Sequence, residues 1–288
     1  MSAIVELARP GNAAMASFSA LLGMLVVMGP DLADAEMIVP VILGMWVPFS
    51  VTAGGNALND YMDHQVDRMA HPERPIPSGR LAPERALWFA LGCFIEAVVV
   101  AALLVTFTDI DLLPLLIAVL AVTSLVGYEI AFKYRGLGGN VTVAYLSALT
   151  FVFGASVVAE PDHEAWATVL ILFTLAFFAS AGREVTKDIQ DMDADMGSRV
   201  TLPMTTGVGL AAGIASIFIV AAVAMSPFPF WPLETMGWPY LAVVLVADVV
   251  FLYSLPLVRK EPAGAQRLHK YAMVLALLAF LVGSLVEG

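Results

Sequence analysis

The sequence predicts an all-α membrane protein of nine transmembrane helices. Three observations predict it. Of its residues, 60% are hydrophobic and only 14% charged, where a soluble chain carries about 25% charged. Apolar runs of roughly 17–25 residues recur from end to end, each long enough to cross the hydrocarbon core. All 14 Lys and Arg fall in the amino-terminal tail or at alternate ends of those runs. In lipid the backbone must satisfy its own hydrogen bonds, so such runs are read as helices.

Span 1 covers about 13–29, behind a tail containing Glu6 and Arg9. Ala33 and Ala35 form an A-x-A after it. That is a cleavage-site pattern, but the acidic tail and eight further spans suit an uncleaved first helix. Span 2, about 37–60, runs into the polar stretch NDYMDHQVD, and span 3, about 85–107, follows HPERPIPSG. Cys93, the single cysteine, lies within span 3 and supports neither a disulfide nor a thiolate metal site. Span 4, about 112–132, ends at Lys133 and Arg135. Span 5, about 140–159, follows the glycines of FKYRGLGGN, and span 6, about 166–184, runs into REVTKDIQDMDAD. Spans 7, 8 and 9 cover about 208–226, 238–257 and 268–286. No soluble segment is left over, so residues 1–288 are expected to form a single polytopic transmembrane domain.

The loops after spans 2, 4, 6 and 8 carry Arg68, Arg74, Arg80, Arg85, Lys133, Arg135, Arg183, Lys187, Arg199, Arg259, Lys260, Arg267 and Lys270. The other loops carry Asp31, Asp34, Glu36, Asp109, Asp111, Glu160, Asp162, Glu164 and Glu234, and no base. The positive-inside rule then puts the amino terminus in the cytoplasm and the carboxyl terminus outside. The net charge of −11 owes much to the outer loops, which would suit a salty exterior. No nucleic-acid partner is expected, and the sequence leaves the oligomeric state open.

Asp60, Asp63 and Asp67 stand at i, i+3 and i+7, one face of a helix. Asp188, Asp191 and Asp195 repeat that spacing 128 residues later. Each triplet follows an even-numbered span and precedes a basic residue and a proline-containing turn. The pattern reads as a weak internal repeat of four helices, with span 9 left over. One triplet alone is an ordinary solvated face; two with one spacing on one membrane face are not. Six carboxylates on facing helices repel unless cations lie between them, and hard oxygen ligands suit Mg²⁺ with phosphate oxygens. The neighbouring Arg and Lys suit a bound anion. Acids, Mg²⁺ and bases together fit a diphosphate, and the apolar bundle fits an apolar tail on it. An EF-hand is excluded, because Met196 stands where its glycine belongs and Leu202 where its last Glu belongs. Acids at the interface rather than mid-membrane argue against an ion pump.

NDYMDHQVD with RPIPSG, and DIQDMDAD with TLP, resemble the two aspartate-rich motifs of the UbiA-type intramembrane prenyltransferases. The nine spans and the amino-terminal ARPGN agree, so the resemblance covers nearly the whole chain. GREVTKDIQDMDAD is similar to the second motif of the archaeal digeranylgeranylglyceryl phosphate synthase branch, with Gln190 replacing a usual acid. The resemblance implies a UbiA-like bundle with both motifs on the cytoplasmic side of the cell membrane. It implies Mg²⁺-dependent transfer of a geranylgeranyl group from its diphosphate to the hydroxyl of geranylgeranylglyceryl phosphate. Asp60, Asp63 and Asp67 would hold one Mg²⁺, and Asp188, Asp191 and Asp195 another. Arg68, Lys133 and Lys187 are the expected phosphate contacts, and Asn59 would orient a metal-bound water or a phosphate. Tyr61 or Tyr128 would offer a π face to the allylic cation. A glycerol phosphate acceptor needs further cations, for which Arg74, Arg135 and Arg183 are spare.

Other features stay open at this level. Gly54, Gly55, Ala57, Ala179, Ser180, Ala181 and Gly182 serve helix packing or a tail tunnel. The glycines of FKYRGLGGN make a turn or approach a phosphate. Glu96, Glu129 and Asp248 lie within or near spans, with Glu129 the candidate nearest the basic loop. Two rival functions remain: a prenyltransferase with an aromatic acceptor, and a divalent-ion-dependent lipid or ion transporter.

Overall fold

The computed structural model describes residues 2–108, 110–133, 135–158, 163–196 and 200–286. Asp109, Glu160, Asp162 and Arg199 lie outside the described residues. Among the described residues nine apolar helices follow one another: α1 (Pro10–Met28), α2 (Ile38–Ala70), α3 (Pro83–Phe107), α4 (Leu113–Gly127), α5 (Leu137–Ser156), α6 (His163–Gln190), α7 (Val208–Met225), α8 (Trp238–Ser254) and α9 (Pro262–Val286). With its π-helical extension to Phe132, α4 is one of eight segments among the described residues that are long and apolar enough to cross a membrane; α8 is shorter. The chain is therefore an integral, multi-pass membrane protein. A short helix, Ala3–Ala8, precedes α1.

Two helices outrun the spans expected for them. α2 has 33 residues and α6 has 28, or about 50 Å and 42 Å at 1.5 Å per residue. Hydrocarbon uses only about 30 Å of that. The surplus is the aspartate-rich sequence, which continues each helix beyond the apolar run. Pro48 sits inside α2 without ending it. Membrane helices tolerate proline where neighbours satisfy the freed carbonyl.

Packing repeats at an offset of four helices. α1 lies on α2 as α5 lies on α6, and α2 on α3 as α6 on α7, while α9 packs on α8, α6 and α1. Between the halves, α1 crosses α5 at two reciprocal glycines. A Cβ on Gly23 would stand 2.1 Å from the Phe151 carbonyl oxygen, and one on Gly154 would stand 1.9 Å from that of Ala20. Membrane helices without a hydrophobic drive between them associate through such close backbone contact. Gly154→Ala is therefore expected to force the two backbones apart, at a cost of about 1–3 kcal/mol. A lower melting temperature in detergent checks this; an unchanged one would contradict the crossing.

The small residues divide their work. Gly54 and Gly182, 128 positions apart in the sequence, make equivalent contacts. An added Cβ would meet Phe94 ring carbon at 2.8 Å in the first case and Ile219 at 2.8 Å in the second. Both therefore serve helix packing. Ala179 and Ser180 line a cavity, and Gly55 both lines it and packs closely on Leu125 of α4.

Candidate active site

The ends of α2 and α6 converge on a cavity of about 1160 Å³ within the bundle. Asp63, Asp67, Asp191 and Asp195 line it, together with Arg9, Arg74, Lys133, Arg183 and Lys187. The first aspartate of each triplet is set back. Asp60 is buried and accepts a hydrogen bond from Arg9, and Asp188 is buried and accepts one from Asn140 at 2.9 Å. Arg9 immediately precedes α1 and Asn140 lies in the first turn of α5, so both anchors come from near the start of corresponding helices of the repeat. Arg9 bends the chain between Ala3–Ala8 and α1 through a left-handed φ of 48°, uncommon for a residue with a side chain.

Helix geometry explains the division. Residues three apart are offset by about 60° on a helix wheel, and the i+7 residue falls between them. Asp60 leans toward α1, Asp63 toward the end of α4, and Asp67 into the space between. Arg74, from the loop after α2, donates to Asp67 at 2.5 Å and stands 3.8 Å from Asp60. That loop is fixed by the amino-terminal helix. Arg80 holds both oxygens of Glu6 at 2.7 and 2.9 Å, and these bonds keep the Glu6 carboxyl below the usual carboxylate range.

After Gly127, α4 becomes a π-helix over Tyr128–Phe132. The Lys133 amide bonds the Tyr128 carbonyl at 2.9 Å, so one widened turn stacks Tyr128 and Lys133 on the cavity side. Lys133 Nζ donates to Asp63 at 2.6 Å and to Glu129 at 2.8 Å. Glu129 also accepts from Asn59 Nδ2 at 2.9 Å. A buried Glu and Lys survive here because each is paired. On α6, Glu184 holds Arg183 at 2.5 Å and lies 3.9 Å from Lys187.

The expected site residues do not all meet. Asn59, Tyr128 and Glu129 line the cavity with the acids and bases. Arg68 is exposed and is not among the lining residues. Arg135 is exposed and stacks its guanidinium 5.6 Å from the Phe132 ring centre. Tyr61 packs into the apolar cluster around Leu7 and Phe94, and Asp193 is exposed. Gly136, at φ 54°, makes the turn after Lys133. Neither it nor Gly138 or Gly139 is among the cavity residues, so these glycines serve the turn. Glu96 accepts from Trp46 at 3.1 Å and Ser50 at 3.3 Å, joining α2 to α3. Asp248 accepts from Ser226 at 2.6 Å, joining α8 to the end of α7.

Sequence reading missed Arg9, Asn140 and Glu184 as site residues. Arg9 and Asn140 carry a readable signal, since each is a polar residue beside the start of a repeat unit's first helix. Glu184 carries none beyond its place three residues before Lys187.

The donor set bears on what the cavity can hold. Among the described residues no three carboxylate, imidazole or thiol groups converge tightly enough to hold an ion alone. The second triplet does not share one helix as its spacing predicts, because α6 ends at Gln190 and Asp195 lies in a separate turn, Met192–Asp195. Asp63 and Asp67 of α2, with Asp191 and Asp195 just beyond α6, face Arg9, Arg74, Lys133, Arg183 and Lys187 instead. That set fits a divalent metal which completes its shell with phosphate oxygens and water, as Mg²⁺ does.

From the charged end the cavity continues along α6 past Ala179, Ala176 and Leu175 to Leu172. Lys187 to Leu172 is about 22 Å of helix. The remaining wall there is mainly apolar, with Phe153 from α5 and Phe280 from α9.

Residues 16–284 match the UbiA prenyltransferase family. A protein of Methanopyrus kandleri named digeranylgeranylglyceryl phosphate synthase is 41% identical over 99% of this chain and 100% of its own length. A solved structure of digeranylgeranylglyceryl phosphate synthase superposes with a TM-score of 0.80 at 29% identity, covering 98% of this chain and 97% of that one. A UbiA homologue of Archaeoglobus fulgidus bound to DMAPP and Mg²⁺ shares the fold, with a TM-score of 0.66 at 15% identity, over 98% of each chain.

Proposed function

The chain belongs to the UbiA prenyltransferase family, and on that premise we propose that it is a digeranylgeranylglyceryl phosphate synthase. It moves a geranylgeranyl group from geranylgeranyl diphosphate to the free hydroxyl of geranylgeranylglyceryl phosphate. The observation that carries this is one cavity with acids and bases at one end and about 22 Å of mainly apolar wall beyond. Three chain bonds span at most about 3.6 Å, so the sixteen-bond run of four isoprene units spans about 19 Å. A C20 tail fits that length. The relatives' names support the acceptor.

Asp63 and Asp67 would share one Mg²⁺ and Asp191 and Asp195 a second, with the diphosphate between them. Bound there, Mg²⁺ neutralises the charge that grows on the leaving group. Lys133, Arg74, Arg183 and Lys187 hold phosphate oxygens as charge-assisted donors. Glu129 and Asn59 keep the Lys133 ammonium in place. Asp60 and Asp188, tied to Arg9 and Asn140, fix the pitch of the two motif helices. The allylic C–O bond breaks with its electron pair leaving on diphosphate, and the Tyr128 ring faces the resulting cation. The acceptor oxygen then bonds that carbon, and its proton passes to the departing diphosphate. The product carries a second ether bond. The segregation of bases to one set of loops supports a cytoplasmic active site in the cell membrane. One transmembrane domain, residues 1–288, carries the whole reaction.

The test is a product assay on purified protein with geranylgeranyl diphosphate, Mg²⁺ and either geranylgeranylglyceryl phosphate or 4-hydroxybenzoate. Diether phosphate should form, and stoichiometric chelation should remove at least about 99% of it, the scale of a lost metal-ion contribution. Prenylated 4-hydroxybenzoate instead would keep the donor chemistry and overturn the acceptor. Reversible lipid binding without diphosphate release would indicate a transporter.

A further inference from the structure

We infer that Lys270 recognises the phosphate of the acceptor lipid at a lateral mouth of the cavity; the inference rests on the reaction proposed above. α1 and α9 pack together away from the aspartates, where Phe18 and Leu22 share an apolar cluster with Leu277 and Phe280. Toward the aspartates each helix turns a stripe into the cavity, including Asn12 and Met15 from α1 and Lys270 and Val274 from α9. Those four residues are also exposed, so the cavity opens sideways between the two helices.

Lys270 stands apart from the other bases of the cavity. Arg9, Arg74, Lys133, Arg183 and Lys187 each have an acidic partner within 4 Å. Among the described residues Lys270 has none, nor any hydrogen bond from its ammonium. It is also the last charged residue of α9, because residues 271–286 carry no charge. It therefore sits where a polar segment gives way to lipid, the depth of a headgroup. A lysine at such a boundary ordinarily turns its ammonium to the interface. Lys270 lines the cavity at this opening.

The two substrates bring two separate anionic groups. The donor diphosphate meets its counter-charge among the paired bases and the metals between the motifs. The acceptor brings one more phosphate, a few bonds from the hydroxyl that reacts, and among the described residues Lys270 is the cavity lysine or arginine left without an acidic partner. It is a specificity-determining residue: it would favour an acceptor with a phosphate over an uncharged isoprenoid glycerol, without touching the reacting atoms.

The test is steady-state kinetics at saturating donor, with the acceptor varied. A charge-assisted hydrogen bond is worth about tenfold or more in affinity. Lys270→Gln should therefore raise the acceptor KM about tenfold, while kcat and the donor KM stay within about twofold, the range of an ordinary surface substitution. Lys270→Arg should restore most of the loss. With geranylgeranylglycerol, which lacks the phosphate, wild type and Lys270→Gln should share one KM. An unchanged acceptor KM in Lys270→Gln, or an equal shift with the phosphate-free acceptor, would overturn the assignment while wild-type diether formation left the reaction standing. Wild-type protein that forms no diether would overturn both.

Discussion

Asp191→Asn is expected to lower kcat by about 100-fold or more, the scale of losing one preorganised electrostatic contact in a transition state. The purified protein should keep its helix content and elute as wild type. Asp191 lines the cavity at the end of α6, where its charge would fall on a metal and not on a structural partner. An asparagine keeps the shape and one oxygen but not the charge. Asp60→Asn should behave differently. Its carboxylate is buried against Arg9, so its loss leaves a guanidinium without its anion. The damage should appear first in melting temperature and second in turnover. Equal kcat losses with equal stability in the two variants would remove the distinction between cavity-facing and anchoring aspartates.

Lys133→Met is expected to lose about 3 kcal/mol of stability, because breaking a buried pair strands the remaining charge. The Lys133 side chain is 5% exposed and that of Glu129 3%, so water screens little of this contact. Donor affinity should fall with it, since the same ammonium faces the cavity. The double variant Lys133→Met/Glu129→Gln separates the two effects. Removing the stranded charge should restore part of the melting temperature, and donor binding should stay weak. A thermal-shift series on wild type, both single variants and the double variant gives the coupling directly. If the double variant recovered donor affinity as well, Lys133 would be a structural residue and not a phosphate contact.

Much of the fold was legible because a membrane writes helices as apolar runs. The reading failed where sequence composition changes inside one helix. Hydropathy ends spans 2 and 6 near residues 60 and 184, yet α2 continues to Ala70 and α6 to Gln190. The added turns mix charged residues with apolar ones, so hydropathy falls there although Val185 and Ile189 of α6 stay buried in an apolar cluster. The site was legible in its spacing, because two i, i+3, i+7 triplets are rarely accidental. Spacing names a face and not what that face meets. Whether Asp60 or Asp63 looked into the cavity depended on Arg9 and Lys133, which reach it from elsewhere in the sequence. The π-helical turn that brings Tyr128 above Lys133 likewise has no periodic signature. Arg68, adjacent to a motif in sequence, points outward because the wheel turns about 100° per residue past Asp67.

The central claim is that the two motifs clasp one diphosphate through metals held by Asp63 with Asp67 and by Asp191 with Asp195. Anomalous diffraction from crystals grown with Mn²⁺ and a non-cleavable thio-analogue of geranylgeranyl diphosphate tests it most directly. The account predicts two Mn²⁺ peaks, one at metal–oxygen bonding distance from each of those aspartate pairs, with the diphosphate bridging them and the tail running toward Leu172. Mn²⁺ bound at Asp60 or Asp188 instead, or a diphosphate seated away from α6, would contradict it.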